Sequence, residues 1–260
     1  MSSTLKVGRR NLYNQNSKQS EQDTILKDQI LKVLEEFPSY GHRRLAIALY
    51  IGPKRVRRVM KLFGLKPYKR KARWKKRKDF GKPDSGYPNL IKRQCPIKPN
   101  IFWAGDFTRL IWFGEIVYLA TFIDIYTREI VGWSVSTKHT NELVIEAFID
   151  GVINCGRPKI VHTDQGSEYQ SKEYINLVES LSVKVSMSKK GSPWENGYQE
   201  TWYDKFKTDL GLEFERFETT GEFVEAIHYT INKYNTRRIQ RNLKMSPREF
   251  KEKYLARLLV

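Results

Sequence analysis

Two short runs rich in apolar and aromatic residues each end on an aspartate, and no other feature limits the possible folds of this chain so strongly. Ile101-Phe102-Trp103-Ala104-Gly105 leads into Asp106-Phe107-Thr108, and Ile160-Val161-His162-Thr163 leads into Asp164-Gln165-Gly166. Such runs read as buried strands, and a carboxylate at the end of one is costly unless it is paired or binds a cation. A third acid, Glu200, closes the stretch Trp194-Glu195-Asn196-Gly197-Tyr198-Gln199-Glu200, with 35 residues between it and Asp164. Three carboxylates brought together repel, and hard divalent ions that take oxygen ligands, such as Mg²⁺, relieve the repulsion. Two such ions, roughly 3.5–4 Å apart, stabilise the attacking and leaving oxygens of an in-line phosphoryl displacement.

Charge agrees with a polynucleotide substrate. The chain has 260 residues, with 47 Lys and Arg against 29 Asp and Glu, a formal net charge of +18. An excess that large implies a polyanionic partner more readily than a small metabolite. Apolar residues make up 40% of the chain, which is ample for one good core and a smaller module and excludes disorder throughout. The two cysteines, Cys95 and Cys155, are far apart and outside any CxxC spacing, which suits a reducing interior. His42, His139, His162 and His228 are too scattered to complete a metal cluster with them. No apolar stretch reaches membrane-spanning length, and the polar N-terminus lacks the apolar centre of a secretory signal. The chain therefore reads as cytoplasmic, with no membrane partner.

Residues 1–20, rich in Ser, Asn, Gln and Lys, read as a polar tail, and residues 21–66 as a helical module. Ile25, Ile30, Leu31 and Leu34 recur at helical spacing up to Phe37-Pro38, where proline stops the helix. A second helix is predicted across Arg43 to Tyr50, and a third from Pro53, suited to a first turn, to Gly64. Short helices carrying Arg43, Arg44, Arg55 and Arg58 resemble a helix-turn-helix-like DNA-binding module; an ordinary bundle with a solvated basic face is the competing reading. Residues 67–98 read as a basic linker lying along DNA. Lys66 to Lys82 contains ten Lys or Arg, among them Lys69, Arg70, Lys75, Lys76 and Arg77, against the single acid Asp79. Such a block repels itself and stays extended until phosphates neutralise it, and the interleaved Tyr68, Trp74 and Phe80 suit base stacking. The same run also fits a nuclear localisation tract.

Residues 99–215 read as an α/β core. Strands are predicted at Phe102–Thr108, Val117–Tyr126 and Ile130–Ser136, with Thr127-Arg128-Glu129 as a hairpin turn. An amphipathic helix follows at Asn141–Ile153, then a strand at Lys159–Thr163, a helix near Lys172–Leu181, a strand at Lys184–Ser186 and a helix from about Glu195. Three meandering strands followed by helix–strand–helix units match a ribonuclease H-like layout, in which sites sit outside the strand ends of an open sheet. Residues 216–260 form a C-terminal helical extension. Asp124 reads as a structural partner of Arg128, Glu168 as an exposed loop residue and Glu115 as part of a turn. Trp194 either wedges against DNA or anchors its loop.

At this level of detail the chain resembles the integrase/transposase superfamily. Trp103 to Thr108 resembles the first catalytic motif, His162-Thr163-Asp164-Gln165-Gly166-Ser167-Glu168-Tyr169 the second, and Gly191 to Glu200 followed by Lys207 the third. Val117 to Trp133, the tail at Tyr234-Asn235 with Arg238, and Tyr40 to Arg44 are similar to the flanking segments. The resemblance covers about residues 23 to 255 and implies the catalytic-frame protein of a two-frame bacterial insertion sequence, a transposase. It implies that Asp106, Asp164 and Glu200 hold two Mg²⁺ or Mn²⁺ ions per active site, that Lys207 contacts element-end DNA, and that Asn196 shapes the loop entering the helix beside the DNA. The implied reaction is 3′-end cleavage and strand transfer. Implied partners are double-stranded DNA (terminal repeats and target), a second copy of the chain in at least a dimer, and an upstream-frame fusion product; the implied location is the bacterial nucleoid. A nuclease of the same fold that only hydrolyses, and an inactive DNA-binding repressor, are the alternatives. The sequence departs from the family in having Glu195 where an aspartate is usual, so Glu195 rivals Glu200. Glu200 is preferred because it lies a turn inside the helix and shares a face with Lys207.

Overall fold

The computed structural model describes residues 9–68, 86–189, 192–211 and 213–259, with side chains described from residue 19 onward and that of Pro193 excepted. The chain forms two compact units, divided after residue 69.

The first unit is helical: α1 (Arg9–Glu36), α2 (His42–Ala48) and α3 (Pro53–Leu62). Leu26, Ile30, Phe37, Tyr40, Leu45, Val56 and Val59 form its core, and Phe37 stacks on Tyr40 with ring centroids 4.6 Å apart. Pro53 occupies the first turn of α3, where its missing N–H costs nothing. Helix α1 starts at Arg9 rather than at Glu21. Arg, Gln and Lys lose little rotamer freedom in a helix, so a polar stretch contiguous with an apolar-faced helix continues it. Asp23, buried beneath α3, accepts two hydrogen bonds from Arg58 at 2.7 and 2.5 Å.

The second unit is built on a five-stranded sheet of order β3-β2-β1-β4-β5: β1 (Phe102–Trp112), β2 (Glu115–Asp124), β3 (Ile130–Ser136), β4 (Ile160–Thr163) and β5 (Lys184–Met187), with α4 (Asn141–Cys155) between β3 and β4 and α5 (Lys172–Ser180) between β4 and β5. The β1–β2–β3 meander is antiparallel, and β4 and β5 run parallel to β1. This is the ribonuclease H-like layout expected from the sequence. Strand β1 runs four residues further than expected. Phe113 and Gly114 both take positive φ, 47° and 78°, a two-residue turn whose twist matches the strands, and the ladder continues to Trp112 opposite Glu115. Helices α6 (Gly197–Leu210), α7 (Thr220–Thr236) and α8 (Pro247–Leu258) follow.

Alternation along the strands divides the apolar side chains between two faces. Phe102, Ala104, Leu119 and Ile123 pack with Trp202, Phe206, Phe223 and Ile227 of α6 and α7. Trp103, Phe122 and Val161 pack on the other face with Val144, Phe148, Tyr174 and Val178 of α4 and α5. Helix α7, expected in a separate extension, thus belongs to the core, and Asn235 exchanges two hydrogen bonds with the backbone of Ile130. Part of the expected linker also belongs here. Tyr87 and Ile91 pack against the two apolar clusters, and the Leu90 amide donates to Ser186 Oγ at 2.9 Å, so this stretch is held to protein rather than lying free along DNA.

The closest approach of helix to sheet runs over two glycines. A Cβ built on Gly132 would lie 2.2 Å from the Ala147 carbonyl oxygen and 2.4 Å from the Gly151 nitrogen, both backbone atoms that cannot swing aside. Gly132→Ala should therefore destabilise the protein by about 1–3 kcal/mol through overpacking, read as a lowered midpoint in urea unfolding; an unchanged midpoint would show that α4 can lift from β3.

Candidate active site

Parallel pairing brings the first two acids together. Ala104 lies opposite His162 in the β1–β4 register, so two residues further on Asp106 is level with Asp164, which opens the loop after β4. Neighbouring strands are about 4.8 Å apart, and Asp106 has the parity of Ala104, whose side chain packs on the α6 face. Asp106 Oδ1 accepts the Phe107 amide at 2.8 Å, and Asp164 Oδ1 accepts the Gly166 amide at 2.9 Å.

The Asp106 carboxyl is pushed up to about 8. Burial is the largest cause and the charge of Asp164 the next; the Phe107 amide opposes them, Glu200 adds to the rise and Lys207 opposes it. The charges acting on Asp106 thus include those of both other sequence-predicted acids, from two further segments.

Helix α6 carries Glu200 and is braced against the strands by polar groups that the sequence reading did not single out. Gln199, fully buried, donates through Nε2 to the Ala104 carbonyl at 2.6 Å and to the Thr121 carbonyl at 2.9 Å. Tyr203 Oη donates to the Asp106 carbonyl at 2.6 Å and lies 2.9 Å from Thr121 Oγ1. Trp202 and Phe206 stack at 4.9 Å and bury the apolar stripe beside them. The signal for Gln199 and Tyr203 was the spacing of the buried positions, since 199, 202, 203 and 206 share a helical face.

The other sequence-predicted residues fall as follows. Lys207 Nζ donates to Thr108 Oγ1 at 2.5 Å and to the Arg109 carbonyl at 3.0 Å, at the edge of the site. Asn196 is buried, and its Nδ2 donates to the Gly105 carbonyl at 3.0 Å. That bond clamps the turn before α6 to β1, while Asn196 Oδ1 is buried with no hydrogen-bond partner among the described residues. Glu195 Oε2 accepts the Lys189 amide at 2.8 Å and Asn89 Nδ2 at 2.9 Å. Although burial opposes it, those bonds and nearby Lys92 and His162 hold its carboxyl below its usual range. Glu168 is buried, not exposed, with Oε1 3.1 Å from His139 Nε2. That contact joins the second-motif loop to the segment before α4.

Asp124 does not pair with the Arg128 side chain. It caps its own turn, accepting the amides of Tyr126 and Thr127 and that of Asn100, while the Arg128 guanidinium sits 4.0 Å from the Tyr198 ring centroid. Trp194 is 74% exposed, which removes the loop-anchoring reading. In the helical unit Arg43 and Arg55 are exposed, Arg44 lies over the Tyr40 ring at 5.7 Å, and Arg58 is bound by Asp23, a partner of opposite charge that the sequence reading had not assigned to it. Lys69, Arg70, Lys75, Lys76 and Arg77 lie outside the described residues.

The donor set at Asp106, Asp164 and Glu200 is all carboxylate oxygen, which suits hard divalent cations rather than soft ones. A half-buried carboxyl displaced upward first by loss of solvent and then by its acidic neighbours is a place where a cation would be stabilised. Among the described residues no three His, Cys, Asp or Glu side chains stand close enough to hold an ion as they are, so Glu200, exposed on the first turn of α6, would have to close on the Asp106–Asp164 pair.

Comparison with known proteins agrees with this geometry. The family described as the integrase core domain matches residues 96–193. The transposase for insertion sequence element IS904 of Lactococcus lactis is 35% identical over 258 residues, covering 94% of this chain and 99% of that protein. The putative transposase InsK for insertion sequence element IS150 of Escherichia coli is 28% identical, covering 84% of this chain and 80% of its own length. Among solved structures, the HTLV-2 integrase catalytic core domain in complex with magnesium superposes with a TM-score of 0.52 at 20% identity, over 60% of this chain and 98% of that one. A chain from the structure of the simian T-cell lymphotropic virus intasome in complex with PP2A regulatory subunit B56 gamma gives 0.55 at 20% identity, over 65% of this chain and 60% of that one.

A carboxyl with a folded pKa near 8, far above its unfolded value of about 3.9, binds its proton more tightly in the folded state. Its contribution to stability is greatest at low pH and is lost as pH rises toward 8. In chelator, Asp106→Asn should therefore raise the melting temperature at pH 8 and raise it less at pH 5; equal gains at both would show that the Asp106 carboxyl ionises normally.

Proposed function

This chain belongs to the insertion-sequence transposases that carry an integrase core, a divalent-metal-dependent family of polynucleotidyl transferases acting on DNA, and we propose that Asp106, Asp164 and Glu200 are its catalytic triad. The observation that carries the assignment is the β1–β4 register that sets the two aspartates level, together with the rise of the Asp106 carboxyl, through burial first and then through the charges of Asp164 and Glu200. We assign Glu200 rather than Glu195 as the third ligand, since Glu195 is engaged by Asn89 and the Lys189 amide.

A pair of Mg²⁺ or Mn²⁺ ions held there would supply positive charge to the attacking and leaving oxygens of an in-line displacement and lower the pKa of the attacking group. The chain's own part is to hold the three carboxylates on one rigid frame. Tyr203 and Gln199 secure the backbone around Asp106, and Lys207 at the rim offers a cation to a phosphate. In the first step a water oxygen attacks phosphorus at the element end and the 3′ oxygen leaves, giving a 3′-hydroxyl and a 5′-phosphate. In the second, that 3′-hydroxyl attacks a target phosphodiester and displaces its 3′ oxygen, so one P–O bond replaces another and no covalent enzyme intermediate is needed. The substrate is double-stranded DNA, terminal repeats and target alike, bound by a dimer or larger assembly, with an upstream-frame product as a further partner. The net charge of +18 supports this reading of the partner.

Strand transfer with cognate ends and Mg²⁺ tests it. Glu200→Gln should lower joining by roughly a thousandfold, the loss of several kcal/mol of charge stabilisation, while Glu195→Gln retains most of it; the reverse order would move the third ligand to Glu195. Nicked products without joined ones under all conditions would reduce the activity to hydrolysis. Binding of the same DNA in chelator should weaken steeply with salt, by about 0.9 in the log–log slope for each phosphate contacted, and a flat dependence would count against an extended basic contact.

A further inference from the structure

Tyr169 lies in the loop between β4 and α5 and is wholly buried. Its ring packs edge-on against Tyr174 and Phe122, with centroids 5.4 and 6.4 Å away, so its place in the apolar layer accounts for the ring. It does not account for the hydroxyl, which is buried and finds no hydrogen-bond partner among the described residues. Buried hydroxyls are nearly always satisfied.

The environment of that hydroxyl indicates what would satisfy it. After burial, the Asp106 charge is the largest influence on Tyr169, and Asp164 acts on it as well. Burial first and then those charges hold the phenol well above its ordinary range, so the hydroxyl keeps its proton and can donate it to a hydrogen bond. Tyr203 feels the same two acids, but its hydroxyl is used on the Asp106 carbonyl. Of the two tyrosines near Asp106, one fixes the backbone and the other is left for the carboxylates.

We propose that Tyr169 is a positioning residue of the catalytic centre, its hydroxyl donating a hydrogen bond to the Asp106–Asp164 carboxylate pair, or to a water that pair holds, as it takes up a divalent cation. The inference rests on the reading of these acids as metal ligands. A donor behind a ligating carboxylate fixes the plane in which its free lone pairs point, and loss of such a bond lowers metal affinity by about 10- to 100-fold. Nothing in the ring packing requires the oxygen, so a phenylalanine would serve there if packing were its whole purpose.

The same layer contains a matched control. Tyr174 is also fully buried with an unpartnered hydroxyl, but burial alone acts on it, with no contribution from the acids. The experiment is calorimetric titration of the metal-free full-length chain with Mn²⁺ alone, for the wild type and for Tyr169→Phe, Tyr174→Phe and Asp106→Asn. Tyr169→Phe should bind Mn²⁺ about tenfold more weakly, with its metal-free melting temperature unchanged or raised, while Tyr174→Phe binds as the wild type does. Wild-type affinity in Tyr169→Phe, or an equal loss in Tyr174→Phe, would overturn the proposal. Wild-type affinity in Asp106→Asn would overturn the metal-site reading itself, and this inference with it.

Discussion

Strands β1 and β4 come from distant parts of the chain and run side by side in parallel, Trp103 against Val161 and Ala104 against His162. Trp103 and Val161 are fully buried between the sheet and α4 and α5, and it is this apolar layer that holds the register. Shifting a strand by one residue would turn every side chain to the opposite face, taking Trp103 out of the core, so the register has little freedom. Two residues past the paired segment the same register leaves two carboxylates level with each other. The repulsion between them is imposed by hydrophobic burial elsewhere in the same strands, and a divalent cation bound there would relieve it.

The far end of β1 is secured differently. Asn100 donates its amide to Asp124 Oδ2 and its side-chain Nδ2 to the Cys155 carbonyl, while its Oδ1 accepts Trp103 Nε1. One residue thus joins the start of β1, the end of β2 and the end of α4. Its φ of 60° is one that asparagine tolerates better than most residues. Beside the site, Gln199 and Tyr203 join α6 to β1 and β2, and α7 completes the apolar layer beneath α6. The buried Asp209–Arg238 ion pair then ties the end of α6 to the segment after α7. The third acid therefore depends on residues well past the integrase core match, which ends at residue 193.

Much of this was legible from local pattern. The alternation of Val117 to Tyr126, the helical spacing of Leu143, Val144, Ala147 and Phe148, and the apolar runs ahead of Asp106 and Asp164 read directly as the elements found, because each carries the period of its own secondary structure. What was not legible were the partners. Arg58 reads as a free basic residue until Asp23 is seen beneath it, and Glu168 reads as a loop acid until His139 lies against it. Asn196 reads as a residue shaping the loop before its helix, but the Gly105 carbonyl that accepts its hydrogen bond is not legible. Each of these contacts joins positions 29 to 91 residues apart, and no periodicity encodes them.

The amino-acid order alone determined most of the elements, the α/β class and the three candidate acids, since strand and helix periods, turn residues and carboxylate spacing are properties of short segments. The folded chain decided which of the acids act on one another. Glu195 and Glu200 are chemically alike and five residues apart, yet one is held by Asn89 and the Lys189 amide and the other acts by its charge on Asp106. That choice comes from the packing of α6 against the sheet, a balance of burial and long-range hydrogen bonds that exists only once distant segments have met.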